Sequence, residues 1–334
     1  MSVDGHRALA DSVEGTSEGD FRLIDWGQLA AVALIFGSAF LWIALALRSI
    51  SPGTLSFGRV VMGAAAVSVL PAARCSVRRV DWPRLGLASL VGIAAPVFLF
   101  ALAEERIPSA LAGMLVSAIP IMTAAVAAIE TRRWPTRNRL TGLAVGFVGI
   151  VLLVAPDLSS GGAEAVGVVM VLTAVLAYAI ASTLYAPLQQ TYGALRVTLW
   201  LLILSSVLLL PLGVLGLSDS SIEPLSATAL VILGVVGTGA VGVLYIGLVG
   251  RVGAVRSSIA GYLIPIVALL LGVIFLSEQI EWMQAGGVLV ALAGGYIVSR
   301  GASDPATTDA NPVASTPHSD PVPGLAPTTT RSLR

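Results

Sequence analysis

The sequence predicts an all-α integral membrane protein of ten transmembrane helices arranged as two inverted five-helix repeats. Three observations carry this. The 334 residues are 56% hydrophobic and only 11% charged, with a mean hydropathy of +0.91, outside the range of soluble globular chains. A stretch in the first half has a diverged copy in the second. Arginines cluster in alternate loops, which gives each copy a direction.

Taking the elements in order, residues 1–26 are acidic, with Asp4, Asp11, Glu14, Glu18 and Asp20. They have no basic n-region and are expected to form a disordered tail. The first apolar run, 27–47, is long enough to cross a hydrocarbon core of about 30 Å at a rise of about 1.5 Å per residue. Further spans are expected at 54–73, 85–103, 109–129, 140–156, 165–186, 197–217, 227–249, 257–276 and 284–299. Brief loops make consecutive helices antiparallel neighbours. The domain reading is a first repeat at 27–156, an external linker at 157–164, a second repeat at 165–299 and a Pro/Thr-rich tail at 300–334. That tail is too polar to order itself by apolar burial.

The repeat rests on residues 106–154 and 251–299. Without gaps, Arg106 meets Arg251, Ile119-Pro120-Ile121 meets Ile264-Pro265-Ile266, Gly142 meets Gly287 and Gly149 meets Gly294. Extending back to Val91-Gly92 on Val236-Gly237 gives 12 identities in 64 positions. The coincidence of proline and glycine, the residues with special backbones, matters more than the count.

Every cationic residue is arginine. The loops after the even-numbered spans hold Arg74, Arg78, Arg79, Arg84, Arg132, Arg133, Arg137, Arg139, Arg196, Arg251, Arg256 and Arg300. The others hold Arg48 and Arg106. By the positive-inside rule both termini are cytoplasmic. The repeated spans lie five helices apart, an odd number, so the second copy is inverted.

The same composition excludes several chemistries. No span contains His, Asp, Glu or Lys, and His6 and His318 lie in the tails. Neither a metal centre nor a cofactor is expected, and the single Cys75 forms no intrachain disulfide. A proton relay would need an edge carboxylate such as Glu104, Glu105 or Glu130. An intramembrane enzyme of the acyl or prenyl transferase or protease type is the alternative reading, disfavoured because Ser38 after Gly37 has no base.

Inverted halves around an axis in the membrane plane are an arrangement used by secondary transporters. The chain resembles the EamA family of the drug/metabolite transporter superfamily. The resemblance is carried by Phe36-Gly37-Ser38-Ala39-Phe40, Leu55-Ser56-Phe57-Gly58-Arg59, the segments around Pro120 and Pro265, and the glycine-rich fifth and tenth spans. Phe36 stands where the family usually has Trp. The Glu that usually follows the span 4 proline by thirteen residues is present after Pro265 as Glu278 and replaced by Arg133 after Pro120. The resemblance implies ten helices around a central cavity and export of amino acids or other small metabolites, without covalent chemistry. It places the protein in the plasma membrane. The expected partners are a small-molecule solute and the lipid bilayer, with no nucleic acid; a homodimer stays open.

Candidate contacts follow from residue chemistry. Arg59 is the sole charge within a span, suited to a carboxylate, although its stem could also snorkel to the headgroups. Pro120 and Pro265 free carbonyls that must face protein or a water-filled space. Ser38 and Trp42, Phe100 and its repeat mate Tyr245, Ser117 and its mate Tyr262, and Tyr178 with Ser182 complete the set. Each could equally serve helix packing.

Overall fold

In the computed structural model of the protein the described residues are 22–131, 137–160 and 162–300. They form ten successive helices: α1 (Leu23–Ala46), α2 (Pro52–Ser68), α3 (82–103), α4 (109–131), α5 (Arg137–Ser160), α6 (Ala163–Tyr192), α7 (Ala194–Leu215), α8 (Pro224–Val252), α9 (Ala254–Leu276) and α10 (Trp282–Arg300). Seven helical stretches are long and apolar enough to cross a bilayer by length and composition. The apolar parts of α5 and α10, Leu140–Leu153 and Trp282–Ile297, are shorter, as is the 17-residue α2.

Some boundaries differ from expectation. The tail proper, 1–21, lies outside the described residues, but α1 starts at Leu23 because Asp25 has a partner: its carboxylate accepts from Arg251 Nη2 at 2.7 Å and Nε at 3.2 Å. Gln28 joins this cluster and donates to the Leu244 carbonyl. Two loops are tighter than predicted. Gly193 alone separates α6 from α7 and Gly253 alone separates α8 from α9, at φ of 80° and 85°, where a side chain would be strained.

The backbone repeats the duplication. A π-helical turn interrupts α3 at Leu90–Ala94, and another interrupts α8 at Val235–Ala240, at matching repeat positions. In α4 the helix tightens to 3-10 over Val116–Ala118 and resumes at Ile119; in α9 it tightens over Ser258–Tyr262 and resumes at Ile264. Pro120 and Pro265 are therefore not kinks inside a continuous helix. Each sits in the first turn after a break, where its missing N–H leaves no acceptor unserved.

Helix packing is exchanged in the same way. α3 and α4 pack on α6, as α8 and α9 pack on α1, while α2 meets α7 and α5 meets α10. The α5–α10 seam shows the twofold relation in atoms. A methyl group on Gly294 would lie 2.7 Å from the Gly142 carbonyl oxygen, and one on Gly149 would lie 2.8 Å from that of Gly287. Exchanging the repeat mates 142 with 287 and 149 with 294 turns one contact into the other. In lipid, where apolar burial does not drive helices together, such close approach of small residues supplies the packing.

Candidate functional site

A cavity lies between the halves, with an empty volume of about 1050 Å³ including its open mouth. Among the described residues its wall comes from α1 to α4 and α6 to α9, with none from α5 or α10. The irregular turns face it. Gly92 and Ile93 from the α3 π turn, Gly237 and Thr238 from the α8 π turn, Val116 from the α4 break, and Ser258, Ala260 and Gly261 from the α9 break all line the space. Non-helical backbone at membrane depth is tolerated where it borders protein or a wet cavity, and here the breaks border the cavity.

Arg59 supplies the one charge on this wall. It is only 5% exposed and does not snorkel. Its Nε donates to Thr238 Oγ1 at 3.0 Å and its Nη2 to the Gly237 carbonyl at 3.3 Å. Thr238 Oγ1 in turn donates to the Leu233 carbonyl at 2.9 Å, five residues back, within the π turn. The local sequence makes this reach possible. Gly234 packs against the Arg59 backbone, and Gly63 and Gly239 against each other, so α2 and α8 approach closely enough for the guanidinium to turn inward. Its Nη1 makes no hydrogen bond among the described residues.

Around Arg59 stands an aromatic set with the same exchange symmetry. Phe100 of α3 stacks on Tyr178 of α6 at 6.0 Å between centroids, and Tyr245 of α8 meets Phe36 of α1 edge-on at 6.0 Å. Phe40 packs edge-on against Phe100 at 5.5 Å. Beyond Phe40 and Phe100 the bundle is filled by Ile43, Ala46, Ala103, Ile107 and Leu111, each buried, which closes that end. At the other end the wall is Tyr185, Tyr245, Ser257 and Ser258.

Of the candidates read from sequence, Arg59, Phe100, Tyr178 and Tyr245 line the cavity. Ser38 and Trp42 do not: they line a separate groove with Leu41, Leu45, Arg48, Leu271 and Phe275, and Ser38 Oγ is spent on the Ile35 carbonyl. Ser182 is fully buried and donates to Ala179. Ser117 and Tyr262 are not among the lining residues and their hydroxyls have no partner among the described residues, and Pro120 and Pro265 are buried one residue beyond the lining Ile119 and Ile264. Sequence reasoning passed over Phe36, Phe40, Tyr185, Thr238, Ser257 and Ser258. Helical spacing groups the α1 set, Val32, Phe36, Ala39, Phe40 and Ile43, on one face with 38 and 42 on another, but does not say which face meets the cavity.

Glu278, the carboxylate read from the family pattern, has a structural task. Its Oε1 accepts from the Ser109 amide at 2.8 Å and Ser109 Oγ at 2.9 Å, and its Oε2 from the Ala110 amide at 2.8 Å, capping α4 from the second repeat. Arg133, its repeat mate, lies outside the described residues.

Comparison with known proteins agrees with this architecture. The sequence profile of the EamA-like transporter family matches twice, at residues 26–155 and 165–300. An uncharacterized transporter of Archaeoglobus fulgidus is 27% identical over 282 residues, covering 82% of this chain and 98% of its own length. A probable terminal-alkyne amino-acid exporter of Streptantibioticus cattleyicolor is 27% identical over 281 residues, covering 81% and 92%. A probable amino-acid metabolite efflux pump of Salmonella typhimurium is 24% identical over 231 residues, covering 64% and 77%. One solved crystal structure shares the fold at a TM-score of 0.62 and 16% identity, over 84% of this chain and 98% of that one. Two profile matches, one on each half of a multi-pass membrane bundle, identify the chain as a member of the EamA-like transporter family of the drug/metabolite transporter superfamily.

Proposed function

We propose that this transporter exports amino acids or other small neutral or zwitterionic metabolites by alternating access at the cavity between its halves. The observation that carries the reading is Arg59: a buried cation, held by two hydrogen bonds to the α8 π turn, with its Nη1 unused among the described residues and aromatic side chains sharing its cavity. A guanidinium edge binds a carboxylate through charge-assisted hydrogen bonds, and aromatic faces accept an apolar side chain or an ammonium group. The relatives named as amino-acid exporter and amino-acid metabolite efflux pump support this substrate class.

The arginine bias supports an orientation with both termini in the cytoplasm, and plasma-membrane placement is part of the same proposal. The end closed by Ile43, Ala46, Ile107 and Leu111 is then the outer one, and the cavity serves the cytoplasmic side in this conformation. The pseudo-twofold relation supplies a second, opposite conformation of similar packing, in which the halves exchange roles.

The test is counterflow. Purified full-length protein in liposomes preloaded with one unlabelled amino acid at a time should accumulate the same labelled amino acid, strongest for those with apolar side chains. Absence of counterflow for all twenty, in vesicles where the protein is folded and monodisperse, would overturn the proposed substrate class.

A further inference from the structure

Just past the end of α3, Glu104 is half-buried, with a carboxylate that has no hydrogen-bond partner among the described residues. Both carboxylate oxygens are shielded from solvent and neither accepts a hydrogen bond. Its amide donates to the Phe100 carbonyl, which sets it one helical turn beyond the aromatic end of the cavity, next to the packed Ala103, Ile107 and Leu111. Two charged groups from other elements act on it: Glu278, held as the cap of α4, and Arg59 of α2. On its own segment Glu105 and Arg106 pair with each other at 3.6 Å and remain partly exposed. Arg59 forms no ion pair with Glu104, its bonds going to α8.

A desolvated carboxylate beside a fixed anion, with no donor to offset either penalty, is not stable in the ionised form. Burial and the negative charge of Glu278 push the Glu104 carboxyl well above the ordinary carboxylate value, while the positive charge of Arg59 works in the other direction. Closure of this end therefore favours the protonated form of the Glu104 carboxyl over the ionised one. Opening that end admits water and removes the penalty.

We propose that Glu104 is a proton-binding site that latches this end of the bundle. Closure takes one proton from the adjoining solution onto the Glu104 carboxylate, and opening returns it to the same side. The proposal rests on the alternating-access reading, since it needs this end to open. The sign follows from linkage. Below the ordinary carboxylate value of 4.5 the group is protonated in both states and closure is independent of pH. Above that value the closed state loses ground about tenfold per pH unit, until the pH passes the raised value of the closed state. Alkaline conditions on this side favour opening.

The experiment reads accessibility rather than transport. In nanodiscs, the full chain carrying Cys75→Ser and Ala46→Cys is labelled with a charged maleimide between pH 5 and 8. Ala46 is buried in the closed end, and the exposed Cys75 of the unmodified chain supplies the correction for thiol ionisation. Corrected labelling should rise at least tenfold over this range, and Glu104→Gln, a permanently neutral side chain, should label slowly and without pH dependence. Should that variant not fold, Glu278→Gln keeps one acceptor oxygen, enough for one of the Ser109 and Ala110 amides, removes the neighbouring anion, and should move the rise to lower pH. Labelling that occurs with the same pH profile in wild type and Glu104→Gln, or with an unmoved profile in Glu278→Gln, overturns the proton latch. No labelling at any pH overturns alternating access, and the latch with it.

Discussion

Replacing Arg59 with methionine separates its two tasks. Methionine fills much of the same volume without charge, so the variant removes the two bonds to the α8 π turn and the free Nη1 edge together. The stability terms oppose one another. The Gly237 carbonyl loses a donor, at about 1–3 kcal/mol for a buried acceptor, and the desolvation cost of a cation only 5% exposed is relieved. Thr238 retains its own bond to Leu233. The net change in melting should therefore be small. Substrate recognition has no such offset. Loss of a hydrogen bond from a charged donor to a carboxylate costs about 1.5–3 kcal/mol, a factor of roughly 10 to 150 in apparent affinity. The assay is binding of leucine against isoamylamine, the same carbon skeleton without the carboxylate, to purified wild type and Arg59→Met. Leucine should weaken by that factor and the amine should not. Equal loss for both, or a large fall in melting temperature with leucine affinity retained, would refute the carboxylate role and leave Arg59 as a strut between α2 and α8.

Three further outcomes follow from the packing. Gly294→Leu drives a side chain into the Gly142 carbonyl and Gly146 backbone of α5; with no flexible neighbour to yield, it should cost several kcal/mol and abolish a cooperative melt in detergent. Gly92→Ala puts a methyl where the Tyr185 hydroxyl now sits at the cavity wall, so it should lower the melting temperature, and Tyr185→Phe should recover part of that loss in a double-mutant cycle. Asp25→Asn weakens the tie between the start of α1 and the end of α8. Because Asp25 is 4% exposed and Arg251 36%, the pair is worth about 1–3 kcal/mol, and the variant should melt lower by that amount at neutral pH.

The fold was legible where the chain departs from uniform hydrophobicity. Gly142, Gly149, Gly287 and Gly294 stood in register in the sequence, and in the structure they form one seam. The helix breaks were only half legible. Pro120 and Pro265 marked their locations, but the backbone tightens before each proline, and the residues exposed by the break precede it. The site was harder because direction around a helix axis is read from contrast between faces. α1 is apolar all round, so nothing in its composition told Phe36 and Phe40, which line the cavity, from Trp42, which does not. Arg59, Phe100, Tyr178 and Tyr245 could be picked out by chemistry alone. Glu104 was visible as an edge carboxylate, yet its shielding and its nearness to Glu278 and Arg59 depend on tertiary packing, which no local pattern encodes.

The absence of α5 and α10 from the cavity wall bears on how such a protein can change. The cavity wall and the glycine seam draw on different helices, so under the proposed transport role a wall residue can be exchanged without touching the α5–α10 contact, and the seam can change without altering the lining.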